Sequence, residues 1–213
     1  MNRTSANLIL VLMTASGILF FEEKAQAQWG ARTHVERRYN QCVELHESGD
    51  YAEARKCIAQ FLEEYPHSRW NETILFLDAA METNVPEAVN KYRQFLHEYP
   101  DGPHTAEAAY RLAELYELTD DHLNAQQYYL RVYGNFPQSR FNDEAALRAA
   151  KCMLLAGDAP SALQHLDHFL SGRQEMSCEL RATELHADAL FQMGEYEDAL
   201  DDYKLVISKA PAD

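Results

Sequence analysis

The chain has 213 residues with 46% hydrophobic content, enough for one ordinary domain or one short solenoid, and only 8 Gly and 7 Pro, which excludes a disordered low-complexity protein. Its 34 acidic residues outnumber 19 Lys and Arg, giving a formal net charge of −15. With no basic run to replace counterions on phosphate, nucleic acid and anionic membrane surfaces are excluded as partners.

Arg3 precedes an apolar run over Leu8–Phe21, and Ala25-Gln26-Ala27 follows with the small-x-small pattern that signal peptidase reads. The run falls short of the ~20 residues that span a bilayer. The expectation is a secretory signal over 1–27, cleaved after Ala27, with no transmembrane segment left in the mature protein, 28–213. No Cys follows the run, so an N-terminal lipid anchor is not expected.

From residue 33 onward the chain repeats itself. Gly49-Asp50-Tyr51-Ala52-Glu53-Ala54 recurs as Asp120–Ala125, Gly157–Ala162 and Gly194–Ala199, and as Thr83–Ala88 with the Gly replaced. The closing alanines, Ala54, Ala88, Ala125, Ala162 and Ala199, are separated by 34, 37, 37 and 37 residues. Tyr65-Pro66, Tyr99-Pro100, Phe136-Pro137 and Ala210-Pro211 mark the unit ends in phase with them. Such a period predicts pairs of helices. Gly or Asp would end the first helix in a left-handed cap. Pro86 and Pro160 fall in the first turn of the second helix, where no amide donor is lost. The alanine would lie at a close helix crossing. Ile58, Tyr92, Tyr129, Leu166 and Tyr203 follow one turn later on the same face, and Cys42, Phe76, Ala113, Ala150 and Ala187 hold a matching position in the first helices. The prediction is an all-α, right-handed superhelical solenoid of about five helix-turn-helix repeats, over about 33–66, 69–100, 104–137, 140–174 and 177–211.

Gly194-x-Tyr196-x-x-Ala199-x-x-x-Tyr203 with Pro211 resembles the tetratricopeptide family, and the resemblance extends over about 33–211. Phe136-Pro137-Gln138-Ser139-Arg140, followed by Glu144-Ala145-Ala146, is similar to a narrower group of envelope proteins: the periplasmic TolA-binding coordinator of cell division and the outer-membrane assembly proteins with tetratricopeptide repeats. The resemblance implies a periplasmic, non-enzymatic scaffold or adaptor of the cell envelope that binds a peptide or partner domain in a concave groove lined by the first helices. Carried over by register, that face presents Glu36, Tyr39, Val43 and His46, then Trp70, Thr73 and Leu77, then Glu107, Tyr110, Glu114 and Glu117, then Leu147 and Lys151. The aromatic residues would supply binding energy, and the acids would favour a partner with Lys or Arg. The competing reading makes the aromatics core residues. The alternative function is a structural or assembly subunit, self-associating through the C-terminal helix or belonging to a larger envelope protein.

No phosphate loop, haem motif or zinc-protease motif appears, so no catalytic residue, metal or cofactor is expected. His165 and His168, three apart on one helix, read as a solvated face rather than a metal site. Cys42 and Cys57 lie at matching heights either side of Gly49. They would form a disulfide, or else stay as two semi-buried thiols, because the position of Cys57 is Lys91, Tyr128, His165 and Asp202 in the other units, residue types of solvent-facing surfaces. Cys152 and Cys178 are not expected to pair.

Overall fold

The computed structural model describes residues 34–172 and 175–209. The expected signal segment and its cleavage site lie outside them. All regular structure in the described residues is helical. The helices are α1 over residues 34–47, α2 (Tyr51–Glu64), α3 (Asn71–Ala80), α4 (Val85–Glu98), α5 (Thr105–Leu118), α6 (His122–Asn135), α7 (Asn142–Leu155), α8 (Ala159–Leu170), α9 (Met176–Met193) and α10 (Tyr196–Lys209). They alternate as first and second members of helix pairs. The chain divides into two compact units, with the boundary inside α3 between Leu77 and Asp78.

Each turn is built by local chemistry. Gly49, Gly157 and Gly194 take φ of +80°, +80° and +87°, the left-handed cap that a Cβ disfavours. In the third pair Asp120 replaces Gly and adopts φ +59°, which a short polar side chain tolerates better than most. The second pair dispenses with that conformation. There the Glu82 carboxylate accepts from the backbone N–H groups of Thr83 (3.0 Å) and Asn84 (3.1 Å). The second helices start on side-chain caps: Asp50, Asn84, Asp121 and Asp158 accept from the backbone N–H groups of Glu53, Glu87, Asn124 and Ser161. They end where Tyr65, Tyr99 and Phe136 donate back to Phe61, Phe95 and Val132, one residue before each proline.

The repeated alanines are buried throughout: Ala54, Ala88, Ala125, Ala162 and Ala199 are 0–2% exposed. So are their first-helix counterparts, with Cys42, Ala113, Ala150 and Ala187 at 0% and Phe76 at 8%. A larger side chain at such a position must displace packed atoms. Ala125→Leu is expected to cost about 1–3 kcal/mol and to lower the thermal midpoint; an unchanged midpoint would mean that the crossing has slack.

The column of Cys57 is not an open solvent face: Cys57 is buried and Lys91, Tyr128, His165 and Asp202 are half-buried. In every pair it meets the first helix. Cys57 is bridged to Cys42, with Cα atoms 5.4 Å apart. Lys91 pairs with Asp78 at 3.0 Å. Tyr128 stacks on Tyr116 with centroids 5.7 Å apart. His165 Nε2 lies 2.9 Å from the Ala146 carbonyl, and Asp202 lies 2.7 Å from His186 Nδ1. Polar residue types occupy this column because it spans the hairpin at its edge, where a polar group can reach across.

A second device ties one pair to the next. Asn71, Thr105 and Asn142 are buried, at 6%, 0% and 9% exposure, at or near the start of a first helix. Asn71 Nδ2 donates to the carbonyls of Tyr65 (3.2 Å) and Pro66 (2.8 Å). Thr105 Oγ1 donates to Tyr99 (2.6 Å). Asn142 Nδ2 reaches the carbonyls of Tyr133 (2.9 Å) and Phe136 (3.2 Å). Each side chain adds a bond to carbonyls at the end of the preceding helix; those of Tyr65 and Phe136 also accept from the backbone N–H groups of Ser68 and Ser139. The core of the second unit continues through Leu147, Leu166 and Phe169, all at 0–1% exposure and packed with Ala146, Ala150 and Ala182.

Candidate partner-binding face

In the second unit the first helices α5, α7 and α9 are joined laterally by charge. Glu107 pairs with Arg140 at 3.1 Å and with Arg111 at 3.5 Å, and Arg111 pairs with Glu114 at 3.0 Å. Arg148 on α7 pairs with Glu117 (3.1 Å) and Glu114 (3.6 Å) on α5 and with Glu144 (3.1 Å) on its own helix. Lys151 approaches Glu117 at 3.7 Å. Glu144 reaches forward to Arg181 on α9 through two bonds, at 2.6 and 3.1 Å. An isolated exposed pair contributes about 0–1 kcal/mol. Here one guanidinium serves three carboxylates across two helices, and such a network fixes spacing and register more than it adds stability.

Beneath the network lies Tyr129, fully buried. Its hydroxyl donates to Glu117 at 2.8 Å and accepts from Arg148 at 3.2 Å. Burial pushes the phenol well above its ordinary value, so it stays neutral. Hydrogen bonds from Arg181, reinforced by Arg148, hold Glu144 below the usual carboxylate range. Backbone N–H donation from Asn84, with Lys91, holds Glu82 down to about 2. Burial lowers His165 from 6.5.

These shifts give stability a pH dependence on the acid side. The unfolded chain binds a proton at His165 below about pH 6.5 that the folded chain resists, so stability falls as pH drops through that value. Glu82 and Glu144 are depressed when folded. Their contribution is complete above about pH 5 and is lost as pH falls from about 4.5 toward 2. Urea midpoints measured from pH 8 to 2.5 are expected to fall in these two stages, and Glu82→Gln should flatten the lower one.

The residues expected to bind a partner have different placements. Lys151 is exposed, and Glu107, Glu114 and Glu117 are half-buried and already paired. The acids therefore do not stand free for a cationic partner. Tyr110 is 5% exposed; it stacks on Phe141 at 4.8 Å and meets Tyr129 edge-on at 5.4 Å. In the first unit Tyr39 stacks on Trp70 at 4.3 Å, and the Arg69 guanidinium covers Trp70 at 4.5 Å. Arg140 covers Phe141 in the same manner, at 4.6 Å. Both sets are one motif, an Arg-aromatic dipeptide laid on the tyrosine of the preceding first helix. The rings are used in packing between repeats. Leu77 and Leu147 are buried, at 8% and 1%. Val43, His46 and Thr73 are half-buried, and Glu36 is exposed on the first unit.

The sequence reading assigned none of Arg140, Glu144, Arg148 and Arg181 to this face, although the register carries them. Position 107 continues as 144 and 181, reading Glu, Glu, Arg; position 111 continues as 148, Arg and Arg; position 114 continues as 151, Glu and Lys. A column of acids beside a column of arginines one turn away on the same face is the signature of pairing between repeats. Between α7 and α9 the face sinks into a shallow cleft of about 200 Å³ lined by Leu147, Arg148, Lys151, Arg181, Glu184, Leu185 and Asp188.

Cys152 is buried and Cys178 half-buried, both as free thiols, and burial pushes the Cys152 thiol up to about 11. His165 and His168 both set their edges against the Tyr133 ring, at 5.3 and 6.4 Å, so His165 is not on a solvated face. Among the described residues no group of three or more His, Cys, Asp or Glu side chains is placed to hold a metal ion, and no helix is long and apolar enough to cross a membrane.

Two family models match, both described as the tetratricopeptide repeat, over residues 36–68 and 76–140. No curated protein matches. Among solved structures, a tetratricopeptide repeat protein from Parabacteroides merdae is similar at TM-score 0.67 and 18% identity, covering 84% of this chain and 68% of that one. The MamA protein is similar at TM-score 0.64 and 16% identity, covering 82% and 91%. Nearly identical TPR-like repeats from Podospora anserina give 0.61 and 14%, covering 83% and 94%.

Proposed function

We propose that this chain, a tetratricopeptide-repeat protein and hence a scaffold for protein–protein interaction, is exported to the periplasm and holds a segment of an envelope protein along α5, α7 and α9. The carrying observation is the lateral charge network. It keeps three first helices at fixed spacing while leaving Lys151, Glu184 and the exposed part of Arg181 at the cleft. A preorganised polar surface of this kind loses little entropy when an extended segment settles on it. The signal-like residues 1–27 support the envelope location. The partner would be read by paired charges and by Leu185 rather than by exposed aromatics.

The test is a photo-crosslinking amino acid placed at Lys151 or Glu184, with Gln127 and Gln164, exposed on second helices, as controls. Discrete adducts from the first pair alone are expected in whole cells; equal labelling from all four sites would remove the face from consideration. Intact mass of the recovered protein should begin at Gln28, whereas full-length cytoplasmic protein would refute export.

A second reading has one observation in its favour. Leu200, Leu205 and Ile207 on α10 are 53%, 42% and 75% exposed, which suits an assembly subunit that self-associates there. Sedimentation velocity separates the two, since the adaptor reading expects a monomer.

A further inference from the structure

The turns of the last three pairs expose a row of large apolar side chains that the proposed binding face does not use. Leu118 and Leu123 flank the turn from α5 to α6 and are 71% and 66% exposed. Leu155, at the register position of Leu118 one repeat later, is 54% exposed at the end of α7. Phe191 and Tyr196 flank the turn from α9 to α10 at 56% and 62%, with rings 5.2 Å apart in an edge contact. Leu118 and Leu155 share one register position, while Phe191 and Tyr196 each lie one residue before the matching positions, Gln192 and Glu197. All five side chains sit at the turn end of stacked pairs, along one edge of the second unit. Single exposed leucines need no explanation, but large exposed apolar side chains at three successive turns on one edge mark an interaction surface.

Charge says what would cover it. The three turn segments, 118–123, 155–160 and 191–198, contain Asp120, Asp121, Asp158, Glu195, Glu197 and Asp198 and not one Lys or Arg. The edge is apolar with a wholly acidic rim, unlike the face on α5, α7 and α9, where acids and bases cancel. An anionic lipid surface is repelled by such a rim. A second copy would set acid against acid. We infer that this turn edge docks an amphipathic helix from another protein, apolar along one stripe and flanked by Lys and Arg. Helices pack about 8–10 Å apart, so three adjacent turns span roughly 20 Å, and a helix of about 14 residues or more would cross them all.

The experiment uses the full mature chain and two synthetic peptides of about 18 residues. Both carry Leu at helical spacing; one has Lys and the other Glu at the remaining positions. Fluorescence anisotropy is expected to show binding of the Lys peptide at least tenfold tighter than of the Glu peptide, weakening with added salt. The variant Leu118→Ser/Leu155→Ser/Phe191→Ser keeps every charge and alters only exposed side chains. It should retain the thermal midpoint and lose at least tenfold in affinity. Lys151→Ala/Glu184→Ala, on the other face, should bind the peptide as the parent does, which separates this edge from the proposed adaptor face. Equal binding of the two peptides, or undiminished binding by the triple variant, overturns the inference. So does a dimer that the triple variant abolishes, or flotation of the parent with neutral phosphatidylcholine vesicles.

Discussion

Tyr129→Ala is expected to destabilise the protein by about 3–5 kcal/mol, the range for removing a large buried ring. The side chain is fully buried, its ring packs edge-on to Tyr110, and its hydroxyl stands between Glu117 and Arg148. Truncation therefore opens a cavity and strips a shared partner from two charged groups. Tyr129→Phe separates the two contributions. It keeps the ring and removes only the hydroxyl, so about 1–2 kcal/mol should be lost. Chemical denaturation of the three proteins measures both steps. If Phe costs as much as Ala, the charge network and not the packing sustains the second unit.

Loss of the Cys42–Cys57 bridge should cost about 3 kcal/mol, the chain-entropy value for a loop of about 15 residues. The sequence separation is 15, and both cysteines are buried, at 0% and 4%. The effect should be local. Amide exchange in α1 and α2 should accelerate on reduction while α5 to α8 keep their protection. The double variant Cys42→Ala/Cys57→Ala should show the weakened behaviour with or without reductant. Uniform acceleration across all helices would mean that the two units unfold together.

The helix pairs were legible in the sequence because the repeat fixes them many times over. A cap, a crossing alanine and a terminal proline each recur, and a single departure such as Asp120 for Gly does not break the phase. The candidate site was less legible. Tyr39, Trp70 and Tyr110 have the types expected of binding aromatics, yet each lies where adjacent first helices approach. A residue's type does not reveal which neighbour in the stack covers it. The column of Cys57 misled for a related reason: Lys91, Tyr128, His165 and Asp202 suggest water one at a time, and only their partners Asp78, Tyr116, Ala146 and His186 show a shared position. Arg148 was missed because its meaning lies in Glu114 and Glu117, a repeat earlier.

The buried Asn71, Thr105 and Asn142 impose a direction in time. Each completes a helix end that lies upstream of it, Tyr65, Tyr99 and Phe136 respectively, always six residues back. In a chain that emerges amino terminus first, from a ribosome or a translocation pore, the helix end and its backbone turn are made before this side chain arrives. The side chain then adds the bond that joins the finished pair to the start of the next one. The joint between pairs is thus written six residues downstream of the helix that it fastens.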